Sequence, residues 1–158
     1  MNSPVGVLHL VSSGEALAAV VFENGWKRFL ANEGWDVQDG TDNVIRTTER
    51  QLNEYFGGQR KEFDIPLLFS GTEFQNQAWR ALTEIPFGKT FSYSEQAMKL
   101  KNPAAVRAVG AANGKNKICI VVPCHRVIGK DGSLTGFAGG TEVKKILLNL
   151  ESSQRSLF

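Results

Sequence analysis

Cysteine and histidine are scarce in this sequence: Cys119, Cys124, His9 and His125 are all it has. Four soft donors so spaced do not build a zinc site, so no metal centre is expected. Nor is a disulfide expected. An apolar stretch separates the two thiols and should aim them apart, and a reducing compartment keeps them free. No apolar run approaches the ~20 residues that span a bilayer. Residues 1–10 lack the basic region and long apolar core of a secretory leader. The expected setting is the cytoplasm, with no membrane partner. Internal repeats and low-complexity tracts are also missing.

What is present suits one modest globular unit or two small lobes: 158 residues, 42% hydrophobic and 22% charged. The net charge of +2 hides an asymmetry. Residues 1–70 carry a balance of −4, and residues 71–158 a balance of +6. A basic second half fits an anionic partner such as nucleic acid, and equally a solvated surface.

Residues 5–12 and 16–23 are apolar runs around Ser13-Gly14 and read as a β-hairpin. Residues 24–40 are rich in Gly, Asn and Asp, and read as an irregular loop. A helix is predicted from Thr41 or Asp42, with Val44, Ile45, Thr48, Leu52, Tyr55 and Phe56 along one stripe. Gly57-Gly58 should end it through a left-handed cap. Residues 63–69 contain Pro66 and fit an edge strand or an extended linker. The composition changes at Ser70-Gly71, the expected boundary between a lobe of residues 1–70 and a domain of residues 71–158.

Thr72 and Gln75 match a capping box ahead of a helix that carries Phe74, Ala78, Trp79 and Leu82 on one face. Ser92 and Glu95 form a second capping box, opening a short helix through Leu100. Asn102-Pro103 predicts a further helix start, running to about Asn113 with Gly114 as its stop. The two short helices fit a helix-turn-helix or a plain packing pair. The second is nearly all small residues, with one long cation, Arg107. Residues 118–122 predict a short buried strand, and residues 129–140 a Gly-rich loop. The last helix starts near Thr141, with Val143, Ile146, Leu147 and Leu150 at helical spacing. Glu151 falls near its end, where the helix dipole disfavours an acid.

Pro123-Cys124-His125-Arg126-Val127 carries the chemistry. A core cysteine is usually inert packing. This one has an imidazole and a guanidinium beside it in sequence, and both favour a thiolate. A thiolate is a soft nucleophile, suited to an alkyl carbon or an acyl group. A direct Cys124–His125 contact, as in a cysteine hydrolase, is strained for adjacent residues on a turn; a water bridge between them is more natural.

That motif resembles the active site of the O6-alkylguanine-DNA alkyltransferases, close to the bacterial type. The likeness extends to Gly-Thr-Glu-Phe-Gln at 71–75, Trp79, Ile-Pro-Phe-Gly-Lys-Thr at 85–90, Ser-Tyr at 92–93 and Arg-Ala-Val-Gly at 107–110. It continues through Asn116, Thr-Gly-Phe-Ala-Gly-Gly at 135–140 and Leu-Leu-Asn-Leu-Glu at 147–151. The resemblance implies an α/β (α+β) protein. Its first lobe would be ribonuclease-H-like, with an antiparallel sheet and a helix, and its second a mostly helical domain with a helix-turn-helix. It implies direct-reversal DNA repair, in which an alkyl group passes irreversibly from O6-alkylguanine to the protein's own cysteine, once per molecule. O4-alkylthymine is left open as a second donor. No cofactor is needed, because the lesion is the donor and the product is a stable thioether.

The implied roles are specific. Cys124 is the acceptor, His125 its base through a water, and Glu151 the group that orients the imidazole. Asn116 steadies the turn before the active-site strand. Tyr93 rotates the 3′ phosphate and protonates the departing guanine. The partner is double-stranded DNA approached through the minor groove by a monomer, with the damaged nucleotide flipped out. Arg107 fills the vacated stack, and Ala105, Val106, Ala108 and Gly110 face the groove. Ser94, Asn102 and Lys130 contact the backbone. Val127, Phe137, Ala138 and Gly139 line the base pocket. Phe137 stands where relatives commonly have Tyr, so one pocket hydroxyl is lost. The competing reading is a non-catalytic protein that binds alkylated DNA without reacting; a cysteine at 124 argues against it.

Overall fold

A computed structural model describes residues 1–155. It resolves into two compact units, the first comprising residues 1–68 and the second starting at Phe69.

In the first unit, β1 (Leu8–Ser12) and β2 (Leu17–Phe22) form an antiparallel hairpin with Leu10 opposite Val20 and an irregularity at Val11/Ser12. The run of residues 17–20 in β2 is wholly buried because helices α1 (Trp26–Glu33) and α2 (Asn43–Phe56) both lie against this strand. Helix α1 corrects the expectation of an irregular loop at 24–40. Ala18 and Ala19 are small enough to seat Trp26, Phe29, Trp35 and Val37 beside Val11. Trp26 stacks on His9 at 4.3 Å, and Phe29 meets Trp35 edge-on at 5.4 Å. That aromatic burial outweighs the loop-forming composition, and Gly34 ends the helix at φ 66°.

Asp42 caps α2, its side chain accepting from the Ile45 amide at 2.8 Å. The left-handed turn after α2 falls on Gly58 (φ 79°), not on Gly57 (φ −82°). Residues 63–69 are extended. Leu67 makes one parallel bridge to Leu17, and the buried Gln51 amide pairs with both backbone groups of Asp64 at 2.8 and 3.1 Å.

In the second unit, α3 (Glu73–Leu82) and α4 (Tyr93–Lys99) each open on a complete capping box, at Thr72/Gln75 and Ser92/Glu95. Helix α5 (Val106–Gly114) packs on both. Two polar contacts lock the three together. Trp79 donates its indole N–H to the Ala112 carbonyl at 2.8 Å, and the buried amides of Gln96 and Asn113 exchange hydrogen bonds at 2.9 and 2.6 Å. Gly71 is obligatory at the entrance, because a Cβ there would sit 2.5 Å from the Trp79 ring. Two-residue strands β3 (Phe91–Ser92) and β4 (Val127–Ile128) pair in parallel, and α6 (Thr141–Arg155) ends the described chain. The β3–β4 pair is unexpected from sequence, since two-residue strands leave no periodic signal.

Two elements differ from expectation. Helix α5 starts at Val106, with Ala105 as an N-cap that makes no side-chain bond. Asn102 is taken up by the end of α4 instead. Its amide donates to the Ala97 carbonyl at 3.1 Å and the Lys101 amide to Met98 at 2.9 Å, with Lys101 at φ 57°. This is a Schellman motif with a lysine in the usual glycine position. Residues 118–122 are a folded turn rather than a strand. Ile120 sits at φ 73°, with Val121 N–H bonded to Cys119 C=O at 2.8 Å, the geometry of a strained γ-turn.

Replacing Asn113 with Ala strips the buried Gln96 Oε1 of its donor, while Nε2 keeps the Ala78 carbonyl at 3.2 Å, and should destabilise the protein by about 1–3 kcal/mol. Chemical denaturation checks this; unchanged stability would mean that the amide pair does not hold α4 to α5.

Candidate functional site

Cys124, His125 and Arg126 form one turn of 3-10 helix, and all three are buried. Two tight turns present it. After the γ-turn at Ile120, Pro123 (φ −85°, ψ 66°) makes an inverse γ-turn, with the Cys124 amide donating to Val122 C=O at 2.9 Å. Asn116 holds this double bend from inside. Its Oδ1 accepts from the Ile118 amide at 3.0 Å and its Nδ2 donates to the Val122 carbonyl at 2.8 Å. The strand expected at 118–122 is absent because these backbone groups bond to a side chain and to each other, not to a neighbouring strand. Cys124 is thus carried on the start of a 3-10 turn.

Glu151, on α6, is 1% exposed and binds three parts of the unit. It accepts from His125 Nε2 at 2.6 Å and from Arg126 Nε at 2.7 Å and Nη2 at 3.2 Å, and lies 3.4 Å from the Gly88 amide. Arg126 also donates through Nη1 to the Ile85 carbonyl at 2.7 Å. Helix α6 continues beyond Glu151, so the acid sits in the last part of the helix but not at its terminus. Burial works against its charge, yet the imidazole and the guanidinium overcome that and hold the carboxyl down to about 2.

Burial pushes the His125 pKa below the ordinary imidazole value. The Glu151 bond works against that shift, and the Arg126 and Lys144 charges add to it. The resting imidazole is therefore neutral. An ionised Glu151 can only accept, so Nε2 carries the proton and Nδ1 presents a lone pair. Nδ1 is buried with no hydrogen-bond partner among the described residues.

The Cys124 thiol is shifted down, towards the thiolate. A hydrogen bond from Cys119 acts first, against desolvation, with help from Asn116 and the Lys144 charge. Lys144 has no counterpart in the sequence reading. It falls on the apolar stripe of α6 and is buried, its ammonium donating to the carbonyls of Val127 at 2.6 Å and Thr135 at 3.1 Å. Burial pushes its pKa down, and the Cys124 charge partly restores it. Lys144 was not foreseen as a site residue, and Arg126, expected to act beside the thiol, binds Glu151. For Lys144 the available signal is a cation two places before the apolar Ile146-Leu147 pair.

The remaining predicted positions spread around this centre. Tyr93, first residue of α4, is half-buried and donates to the Thr135 carbonyl at 3.2 Å, and Gly110 of α5 is close to its ring. Ser94 and Ala105 are half-buried; Asn102, Arg107, Ala108 and Lys130 are exposed. Val127 is buried and directs its carbonyl to Lys144. In the 129–140 loop, Phe137 and Gly139 are half-buried and Ala138 exposed, with the Phe137 ring edge-on to His125 at 6.5 Å. Among the described residues, no His/Cys/Asp/Glu group could hold a metal ion, and no helix is long and apolar enough to cross a membrane.

The depressed Glu151 and His125 pKa values set the acid response. Both groups bind fewer protons folded than unfolded, so their contribution is full above about pH 6.5. It falls with acidification, first through the imidazole and then through the carboxyl as pH drops from about 4.5 towards about 2. Denaturation across pH should show this decline, and Glu151→Gln should flatten its part below about pH 4.5; parallel curves for the two proteins would refute the coupling.

Residues 1–69 match the family model described as 6-O-methylguanine DNA methyltransferase, ribonuclease-like domain, and residues 73–153 match its DNA binding domain. A methylated-DNA–protein-cysteine methyltransferase of Methanosarcina acetivorans is 47% identical over 96% of both chains. The crystal structure of Mycobacterium tuberculosis O6-methylguanine methyltransferase superposes with a TM-score of 0.86 at 43% identity, covering 98% of this chain and 91% of that one. A structure of the Mycobacterium tuberculosis protein in complex with DNA gives 0.84 at 41% identity, over the same shares.

Proposed function

The chain belongs to the 6-O-methylguanine DNA methyltransferase family, and from that premise we propose that Cys124 is the acceptor of the alkyl group. The protein is a methylated-DNA–protein-cysteine methyltransferase that repairs DNA by direct reversal. The observation that carries the residue assignment is the buried Cys124-His125 turn tied to Glu151 at 2.6 Å.

The thiol proton leaves through His125 Nδ1 by way of a water. The Cys124 thiolate attacks the alkyl carbon in line, a C–S bond forms, and the bond from that carbon to guanine O6 breaks. The electron pair stays with guanine, and Tyr93 supplies the proton that makes neutral guanine the leaving group. Glu151 orients His125 and stabilises it once protonated. The thioether is not readily hydrolysed, so each molecule acts once.

The substrate is double-stranded DNA containing O6-alkylguanine, flipped out of the stack because the stacked base hides its O6 substituent. Helix α5 offers Arg107 and Ala108 to solvent on a short-side-chain surface, which suits close approach to the minor groove. Arg107 fills the space that the base leaves, Ala105 and Ala108 face the groove, and Ser94, Asn102 and Lys130 contact the backbone. Val127, Phe137, Ala138 and Gly139 receive the base. The protein works as a monomer in the cytoplasm, where its thiols stay reduced. A non-catalytic lesion-binding role has no observation in its favour.

Incubation with duplex DNA carrying one O6-methylguanine should add one methyl group per protein, at Cys124 by peptide mapping. Cys124→Ser should take up none and still bind the lesion; methylation of that variant would refute the acceptor assignment. Arg107→Ala should lower the repair rate on duplex by on the order of 10–100-fold, from the few kcal/mol that unstacking takes. Its reaction with free O6-benzylguanine should change little, and an equal loss on both substrates would remove Arg107 from the flipping step.

A further inference from the structure

Lysine is an unfavourable choice at position 101. The residue is exposed at φ 57° in the turn between α4 and α5, where it closes the Schellman motif. Glycine fills that position at no steric cost, whereas a Cβ there crowds the backbone. A cation gains something from the carbonyl end of α4, but Lys99 already stands in the last turn of that helix. The Lys101 side chain forms no hydrogen bond, ion pair or ring contact among the described residues. Other lysines of the second unit are engaged. Lys99 lies over the Phe91 ring at 6.0 Å, Lys117 donates to Ser70, and Lys144 donates to two carbonyls.

The surrounding sequence supplies no counter-ion. Residues 96–130 carry seven Lys/Arg and no Asp or Glu, so the segment is one-signed throughout. Lys101 begins the exposed run 101–104 that leads into α5, and Arg107 and Ala108 are exposed on the first turn of that helix. A residue held in a disfavoured conformation, whose side chain serves nothing inside the fold, points to work outside it. The charge of the segment says that the object outside is an anion.

We propose that Lys101 binds a backbone phosphate of the DNA duplex and so fixes how α5 sits against it. The inference rests on the reading that the exposed face of α5 is turned to DNA. The turn is held by two backbone hydrogen bonds, Lys101 N–H to Met98 C=O at 2.9 Å and Asn102 N–H to Ala97 C=O at 3.1 Å. The side chain therefore leaves from a fixed point beside the helix that carries Arg107. Phosphate contacts set orientation and carry no sequence information. That suits a protein which meets its lesion in any sequence. Arg107 enters the stack in this reading, so the anchoring charge on the turn falls to Lys101.

The test is the salt dependence of binding to an undamaged duplex, followed by fluorescence anisotropy from about 50 to 200 mM salt. Losing one phosphate contact makes the slope of log affinity against log salt shallower by about 0.9. Lys101→Gly should show that change, with affinity weakened at low salt and the deficit shrinking about threefold over this range. Lys101→Asn, which also tolerates the left-handed turn, carries the same expectation, and Lys101→Arg should restore both slope and affinity. The glycine variant should melt at or above the parent, because it relieves the turn, so stability and binding move in opposite directions. An unchanged slope in the glycine and asparagine variants would overturn the proposal. So would an arginine variant that binds as weakly as they do, which would mark the shape of the turn and not its charge. Arg107→Ala separates the two readings. If it repairs duplex DNA as fast as the parent and Lys101→Gly keeps the parent slope, the α5 face is not turned to DNA. If it is impaired while Lys101→Gly keeps the parent slope, only the role of Lys101 is refuted.

Discussion

The Glu151 carboxylate is the point on which the second unit's chemistry turns. It is buried, and a lone buried carboxylate would take up a proton rather than stay charged. Here it is kept ionised by Arg126 and His125. Through them it joins α6 to the 3-10 turn at 124–126, and Arg126 extends the link to the Ile85 carbonyl at the exit of α3. Such a pair adds little net stability over an apolar core, but losing one partner strands a buried charge. Its value lies in specificity of arrangement. With both Glu151 oxygens engaged, the imidazole has one tautomer and one orientation, and its free nitrogen is the one that can take a proton.

The same economy governs the turn that carries Cys124. A strand would have spent the backbone groups of 118–122 on a neighbour and aimed alternate side chains to opposite faces. Instead one asparagine binds both arms of the bend, and a β-branched residue is held at positive φ, where it is disfavoured. Strain of this kind persists only where the surroundings over-determine it. What it secures is a sulfur placed at the start of a helical turn.

Much of this was legible in the sequence where a local rule has few competitors. The capping boxes at Thr72 and Ser92, the hairpin and the stripe of α2 each rest on contacts within a few residues, so spacing alone reveals them. Legibility failed where a residue has two eligible roles. Asn102 before Pro103 reads as an N-cap, yet its amide is needed to close α4, and only tertiary structure decides. Residues 118–122 read as a strand because apolar runs do not distinguish a strand from a buried turn. Composition hid α1, since the alanines that admit its aromatics lie in a different element. Lys144 was illegible for the same reason: its carbonyl partners, Val127 and Thr135, lie 17 and 9 residues away.

A neutral histidine beside an assisted thiol differs in kind from a thiolate–imidazolium pair. In the ion pair the nucleophile is permanently charged and meets any electrophile that reaches it. In this arrangement burial, helped by the Arg126 and Lys144 charges, holds the imidazole neutral, and weak neutral donors together with an offset lysine favour the thiolate. The Cys124 residue is also only 6% exposed. A catalyst that turns over loses little to an occasional wasted encounter, because its nucleophile is regenerated. An acceptor that forms a thioether is consumed by the first group it takes. Seclusion of the sulfur, with activation built from short-range contacts rather than a persistent charge pair, is the arrangement that single use favours.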